Sequence, residues 1–268
     1  MFSFARIFVV AALAVSVLAA PEATRTTRDD VLSLNPVGIV TRPVAQKRDV
    51  HLTNAQLLSR GLPPNRPRTR YGRRGQALQP RQSSTTVART GHIQVEVSDY
   101  PIAFVSKQLN TFGEYQITTD VSDALSVSIP DSLSATFDIV ALNGGMFDYL
   151  GFATGFANIN DVRQLDETSF NYAYLAGVTD ESRGPAVDAP NTYTDASGLS
   201  AYVESNVWSL GAGDELIPTW VNGDGTAVAV SLFYSRSDNL FAITGSADQF
   251  VQAFGSASHP ATFKFVAA

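Results

Sequence analysis

"HIQVEVS" (His92–Ser98) puts Ile93, Val95 and Val97 on one side and Gln94, Glu96 and Ser98 on the other. An apolar/polar period of two belongs to an extended chain with one dry and one wet face, because successive side chains point to opposite faces of a sheet. "ATFKFVA" (Ala261–Ala267), at the other end, has the same pattern with Phe263 and Phe265 on the apolar side. Between these two stretches lie further short runs rich in Val, Ile, Phe, Tyr and Thr, such as "EYQITTD", "FNYAYLAGV", "LIPTWV", "AVAVSLFYS" and "LFAITG". "LNGGM", "GAGD" and "NGDGT" interrupt them as turns. Residues 91–268 therefore read as an all-β domain, and the favoured architecture is an antiparallel β-sandwich of jelly-roll type. One short helix is expected, opened by Ser246 with Gln249 as a capping box and stopped by Gly255.

Upstream of Gly91 the composition changes. Residues 1–90 hold 14 of the 19 Lys and Arg but only 4 of the 25 Asp and Glu, a balance of +10; residues 91–268 carry −16. Such opposed charge marks separate segments. The first, "MFSFARIFVVAALAVSVLAAPEA", has Arg6 before an apolar run from Ile7 to Leu18 and small residues after it, the form of a secretory signal peptide (residues 1–19) cleaved after Ala19. Twelve residues at ~1.5 Å each fall well short of the ~30 Å hydrocarbon layer, so no membrane anchoring is expected. The expected destination is extracellular. With no cysteine in the chain, the fold rests on its core alone. A domain of about 180 residues has enough core to do so.

Residues 20–90, rich in Pro, Arg, Ser, Thr and Gln, read as a mostly disordered basic pro-region or linker. Lys47-Arg48 and Arg73-Arg74 are dibasic pairs of the kind that processing proteases of the secretory route cut, so such a protease is an expected partner. Within this region Thr53 and Gln56 form a second capping box, Leu52 and Leu57 a hydrophobic staple, and Gly61-Leu62-Pro63 a stop. About seven helical residues are marginal in isolation, so that helix needs a surface to dock on.

"LTNAQLLSRGLPP", followed by an Arg/Pro-rich stretch and "TGHIQVEV", and then "FGEYQITTDVSDALSVSI", "NYAYLAGVT", "ESNVW" and "WVNGDGT", resembles a recurring arrangement in uncharacterised secreted proteins of mushroom-forming fungi. The resemblance covers most of the chain beyond the signal peptide. It implies secretion and carries no activity or site residue.

Chemistry is sparse. The three histidines have no partner at metal-ligand spacing, and no Gly-x-Ser-x-Gly elbow occurs. "WVNGDGT" has the middle of a calcium loop, but Trp220 and Ser231 fall where carboxylates are required; a hairpin turn explains the same residues. No metal and no cofactor is expected. Glu204 and Glu167 are the carboxylates set beside aromatic strands. Sugar recognition needs rings next to amides and carboxylates, which singles out Trp220, Asn222, Asp224, Trp208, Tyr172 and Tyr174, with Tyr202 nearby. A domain of charge −16 does not suit nucleic acid. The sequence thus reads as a secreted non-catalytic protein that binds glycan or cell wall, the alternative being an acid hydrolase kept latent by its basic pro-segment.

Overall fold

The computed structural model describes residues 32–45, 88–131, 136–179, 184–255 and 258–268. Among them fifteen strands form: β1 (Ala88–Val97), β2 (Ala103–Leu109), β3 (Tyr115–Thr118), β4 (Ser126–Pro130), β5 (Ile139–Ala141), β6 (Tyr149–Thr154), β7 (Tyr172–Val178), β8 (Val187–Asp188), β9 (Tyr202–Glu204), β10 (Trp208–Leu210), β11 (Glu215–Val221), β12 (Ala227–Ala229), β13 (Ser231–Ser235), β14 (Leu240–Thr244) and β15 (Ser258–Ala267). Two short helices join them, α1 (Thr192–Ser197) and α2 (Ala247–Phe254).

The alternating strands do not build a jelly-roll sandwich. Eight of them close into an antiparallel barrel in the order β1-β4-β5-β6-β7-β14-β13-β15 and back to β1. Alternation could not settle this point, since it specifies one dry face but not whether that face packs on a second sheet or curls onto itself. The closing seam joins the two stretches quoted first, with Ile93 opposite Phe265 and Val95 opposite Phe263. The remaining strands are appendages. β1 pairs with β4 through Ala88–His92 and with β2 through Gln94 and Val95, so its edge forks between the ring and a β2–β3 flap. β11 joins β15, with β10 and β12 beside it, and β8–β9 hang on β6.

Side chains fill the ring: Ile93, Val95, Val127, Phe152, Phe241 and Phe263 belong to one buried cluster. An eight-stranded barrel has an interior just wide enough for such filling. A second cluster lies on the outer face of β7 and β14. Every residue of β7 is buried. Ala173 and Leu175 belong to the first cluster, Tyr172 and Tyr174 to the second, where Tyr193 of α1 and Phe250 and Phe254 of α2 cover them. Helix α2 starts and stops where expected, although Ser246 makes no side-chain cap bond; Gly255 (φ 79°) ends it with its N–H on the Val251 carbonyl. Helix α1 was not expected. Asn191 caps it by accepting from Thr194 N–H, and Gly198 ends it in the left-handed region.

Part of the basic segment, residues 20–90, expected to be mostly disordered, falls within the described residues. Residues 32–45 lie against the outer wall of the barrel as a strap from α2 to α1: Leu32 N–H donates to the Ala253 carbonyl and Arg42 N–H to the Ala196 carbonyl, each at 2.8 Å. The composition of residues 20–90 hid it, because "LSLNPVGIVTRPV" (residues 32–44) carries a single charge, Arg42, within an otherwise basic stretch. The expected signal peptide with its cleavage point at Ala19, the pairs Lys47-Arg48 and Arg73-Arg74, and the expected helix after Leu52 lie outside the described residues.

Candidate functional site

The strap is anchored by two residues. Leu34 is 3% exposed and Asn35 6%, whereas Val37 and Val40 are each 90% exposed. Leu34 joins the outer cluster of Tyr172, Tyr174, Phe250 and Phe254. Its carbonyl accepts from the hydroxyl of Tyr172 at 2.7 Å and from that of Tyr174. The two phenol oxygens are 3.1 Å apart, so three O···O approaches share two protons. Phe156 N–H donates to the Tyr174 oxygen at 3.3 Å, and both hydroxyls lie within donating distance of the one carbonyl. Burial raises the pKa of both phenols above the ordinary value, so they stay protonated donors.

One residue further on, Asn35 Nδ2 donates to Glu114 Oε2 at 3.0 Å, and Asn110 Nδ2 donates to the same oxygen at 2.6 Å. Glu114 is fully buried. It ends the tight turn before β3, where Asn110 Oδ1 accepts from the N–H groups of Phe112 and Glu114 and Gly113 takes φ 80°. Burial pushes the Glu114 carboxyl up to about 7; the Asn110 and Asn35 amides pull it down, and the charge of Asp238 adds to the rise. Burial also lifts the phenol of neighbouring Tyr193 to about 12. With the strap in place, Glu114 Oε1, Asn35 Oδ1 and the Tyr193 hydroxyl are buried without a hydrogen-bond partner. Beside the far end of the strap a cleft of about 310 Å³ opens between Thr41–Val44 and Leu109–Thr111.

Of the residues singled out from sequence, Tyr172 and Tyr174 are here, as buried hydroxyl donors with no exposed ring face. Trp220 is buried, its Nε1–H donating to the Arg163 carbonyl at 2.8 Å. Trp208 is buried against Phe152 and Phe263, with its Nε1–H on the Leu150 carbonyl. Asn222 is buried and accepts from Leu165 N–H, while exposed Asp224 accepts from Thr226 N–H to close the expected hairpin turn. Half-buried Tyr202 has the Arg163 guanidinium over its ring, 5.3 Å from the centroid. Glu167 is exposed. Glu204 is buried and pushed up to about 8 by that burial, partly offset by N–H donors from Val221 and Ala186. It ties β9 to the end of β11. Sequence reasoning missed Glu114 and the strap. The available signal was "LNTFGEY", an Asn-led turn that places a carboxylate next to a buried strand.

Among the described residues, no three His, Asp or Glu side chains gather as a metal site, and no helix is long and apolar enough to cross a membrane. No family model, curated protein or solved structure matches the chain.

Proposed function

We propose that this is a secreted binding protein whose ligand site is the cradle on the outer face of β7, and that residues 32–44 fill that site in the uncut chain as a built-in competitor. The observation that carries the reading is the convergence of the Tyr172 and Tyr174 hydroxyls on the Leu34 carbonyl. A wall needing only an apolar cover would not bury two phenols, each with a hydroxyl to satisfy. Secretion rests on the leader sequence, and the dibasic pair Lys47-Arg48 follows the strap closely enough for a cut to turn a tethered occupant into an exchangeable one. The glycan reading drawn from sequence needs an exposed ring, and Trp220, Trp208, Tyr172 and Tyr174 are all buried. It is not carried further.

Latent hydrolysis keeps one observation in its favour: two hydroxyl donors hold a peptide carbonyl beside a glutamate whose acidity lies near neutrality. One experiment separates the readings. The full chain is folded, cut after Arg48, and incubated with a labelled peptide of sequence LSLNPVGIVTRPV. Saturable exchange with the peptide intact is the expected outcome. Scission between its Leu and Asn would establish the hydrolase, and failure of the peptide to enter after strap loss would remove both readings.

A further inference from the structure

The cradle does more than accept an extended chain; its geometry specifies what the chain carries. Resting on the binding reading above, we infer that the partner is a polypeptide segment of another protein in which an apolar residue is followed by asparagine, and that Glu114 is the residue that reads the asparagine. The Leu34 side chain enters an apolar cluster, so that position takes an aliphatic group. Its carbonyl meets two O–H donors and requires an acceptor. The next side chain meets Glu114 Oε2, already bonded to Asn110, and requires an N–H donor short enough to turn back to the wall. Aspartate in its place would set a second carboxylate against a buried one. Donor, acceptor and apolar requirements on two consecutive residues amount to a recognition rule.

The strap meets this rule and stops there. Glu114 Oε1 and the Tyr193 hydroxyl remain without partners beneath it, and its central valines are out in solvent. Buried groups left unpaired weaken a complex, so a segment that reaches them displaces the strap.

The test uses the full chain, folded and then cut after Arg48, with two labelled peptides, LSLNPVGIVTRPV and the same peptide with aspartate for asparagine, at mildly alkaline pH. The asparagine peptide is expected to bind at least ~30-fold tighter, the scale of losing a charge-assisted hydrogen bond and adding repulsion. In Glu114→Gln, whose amide can donate to aspartate, the preference should shrink to within about threefold. Equal binding of both peptides to the unsubstituted chain would overturn the recognition rule while leaving the binding reading intact. A preference that survives Glu114→Gln would take the role away from Glu114. If neither peptide binds, the binding reading falls and the rule with it. Should Glu114→Gln fail to fold, the peptide pair on the unsubstituted protein still decides the rule.

Discussion

Stability should fall as pH rises from about 5 to about 8, and two buried glutamates set the size of the drop. Glu114 and Glu204 are held at about 7 and about 8 in the folded chain against an ordinary value of 4.5, chiefly because burial disfavours the charged form. Between the unfolded and folded values the native state binds the extra proton, so stability declines with pH by linkage. Above the folded values the loss is complete. At 1.36 kcal/mol per unit, the shifts correspond to roughly 3 kcal/mol for Glu114 and roughly 5 kcal/mol for Glu204. The opposite group, Asp161, Asp166, Asp214 and Asp224, is held below the ordinary range by hydrogen bonds from Arg163, Thr168, Arg89 and Thr226 respectively. Their contribution is present above pH ~4 and lost only as pH falls further, and exposure keeps it small. Maximum stability therefore belongs near pH 5. Urea titrations at half-unit steps from pH 4 to 9, with m checked for constancy, measure the curve. Glu204→Gln, which retains an oxygen for the Val221 N–H, should remove the decline between about pH 7 and 8 and roughly halve it below, and Glu114→Gln should roughly halve it below about pH 7 only. A stability that climbs from pH 5 to 8, or a slope unchanged in both variants, would refute the assignment.

Trp220→Ala should cost about 3–5 kcal/mol in chemical unfolding, because a fully buried indole and its bond to the Arg163 carbonyl are both lost. Gly91→Ala should destabilise the barrel seam by more than the ~1 kcal/mol typical of point changes, since a Cβ there runs into the Val266 carbonyl across the β1–β15 pair; differential scanning calorimetry reads it. Leu34→Ala should loosen the strap by about 2–5 kcal/mol while sparing the ring, seen as faster hydrogen exchange at Leu32 and Arg42 with β1 and β15 unchanged.

The strands were legible because alternation is local: Ile93, Val95 and Val97 announce a dry face from seven residues of text. The turn at Asn222–Gly225 was legible for the same reason, as it closes on Gly225 at a positive φ that glycine tolerates. Ring closure was not, because it depends on pairing residues about 170 positions apart, and nothing within either stretch names its partner. The fate of the aromatics was equally hidden. "NYAYLAGV" carries an apolar residue at nearly every step, so which face holds Tyr172 and Tyr174 follows only from where α2 and the strap come to rest. Glu114 escaped notice as one of 21 carboxylates in an acidic domain, its burial set by the flap closing over β7.

The pairing of β1 with β15 also carries a consequence in time. A ribosome adding about 5–20 residues per second completes the last strand roughly 10–30 s after the first. Throughout that interval one edge of β1 is an open template of apolar residues, which neighbouring nascent chains can join. β2 and β4 emerge soon after β1 and shield only the opposite edge. Any agent that binds extended chains therefore has its longest opportunity at His92–Val97, and release of the finished chain, with Phe263 and Phe265 arriving last, ends that exposure.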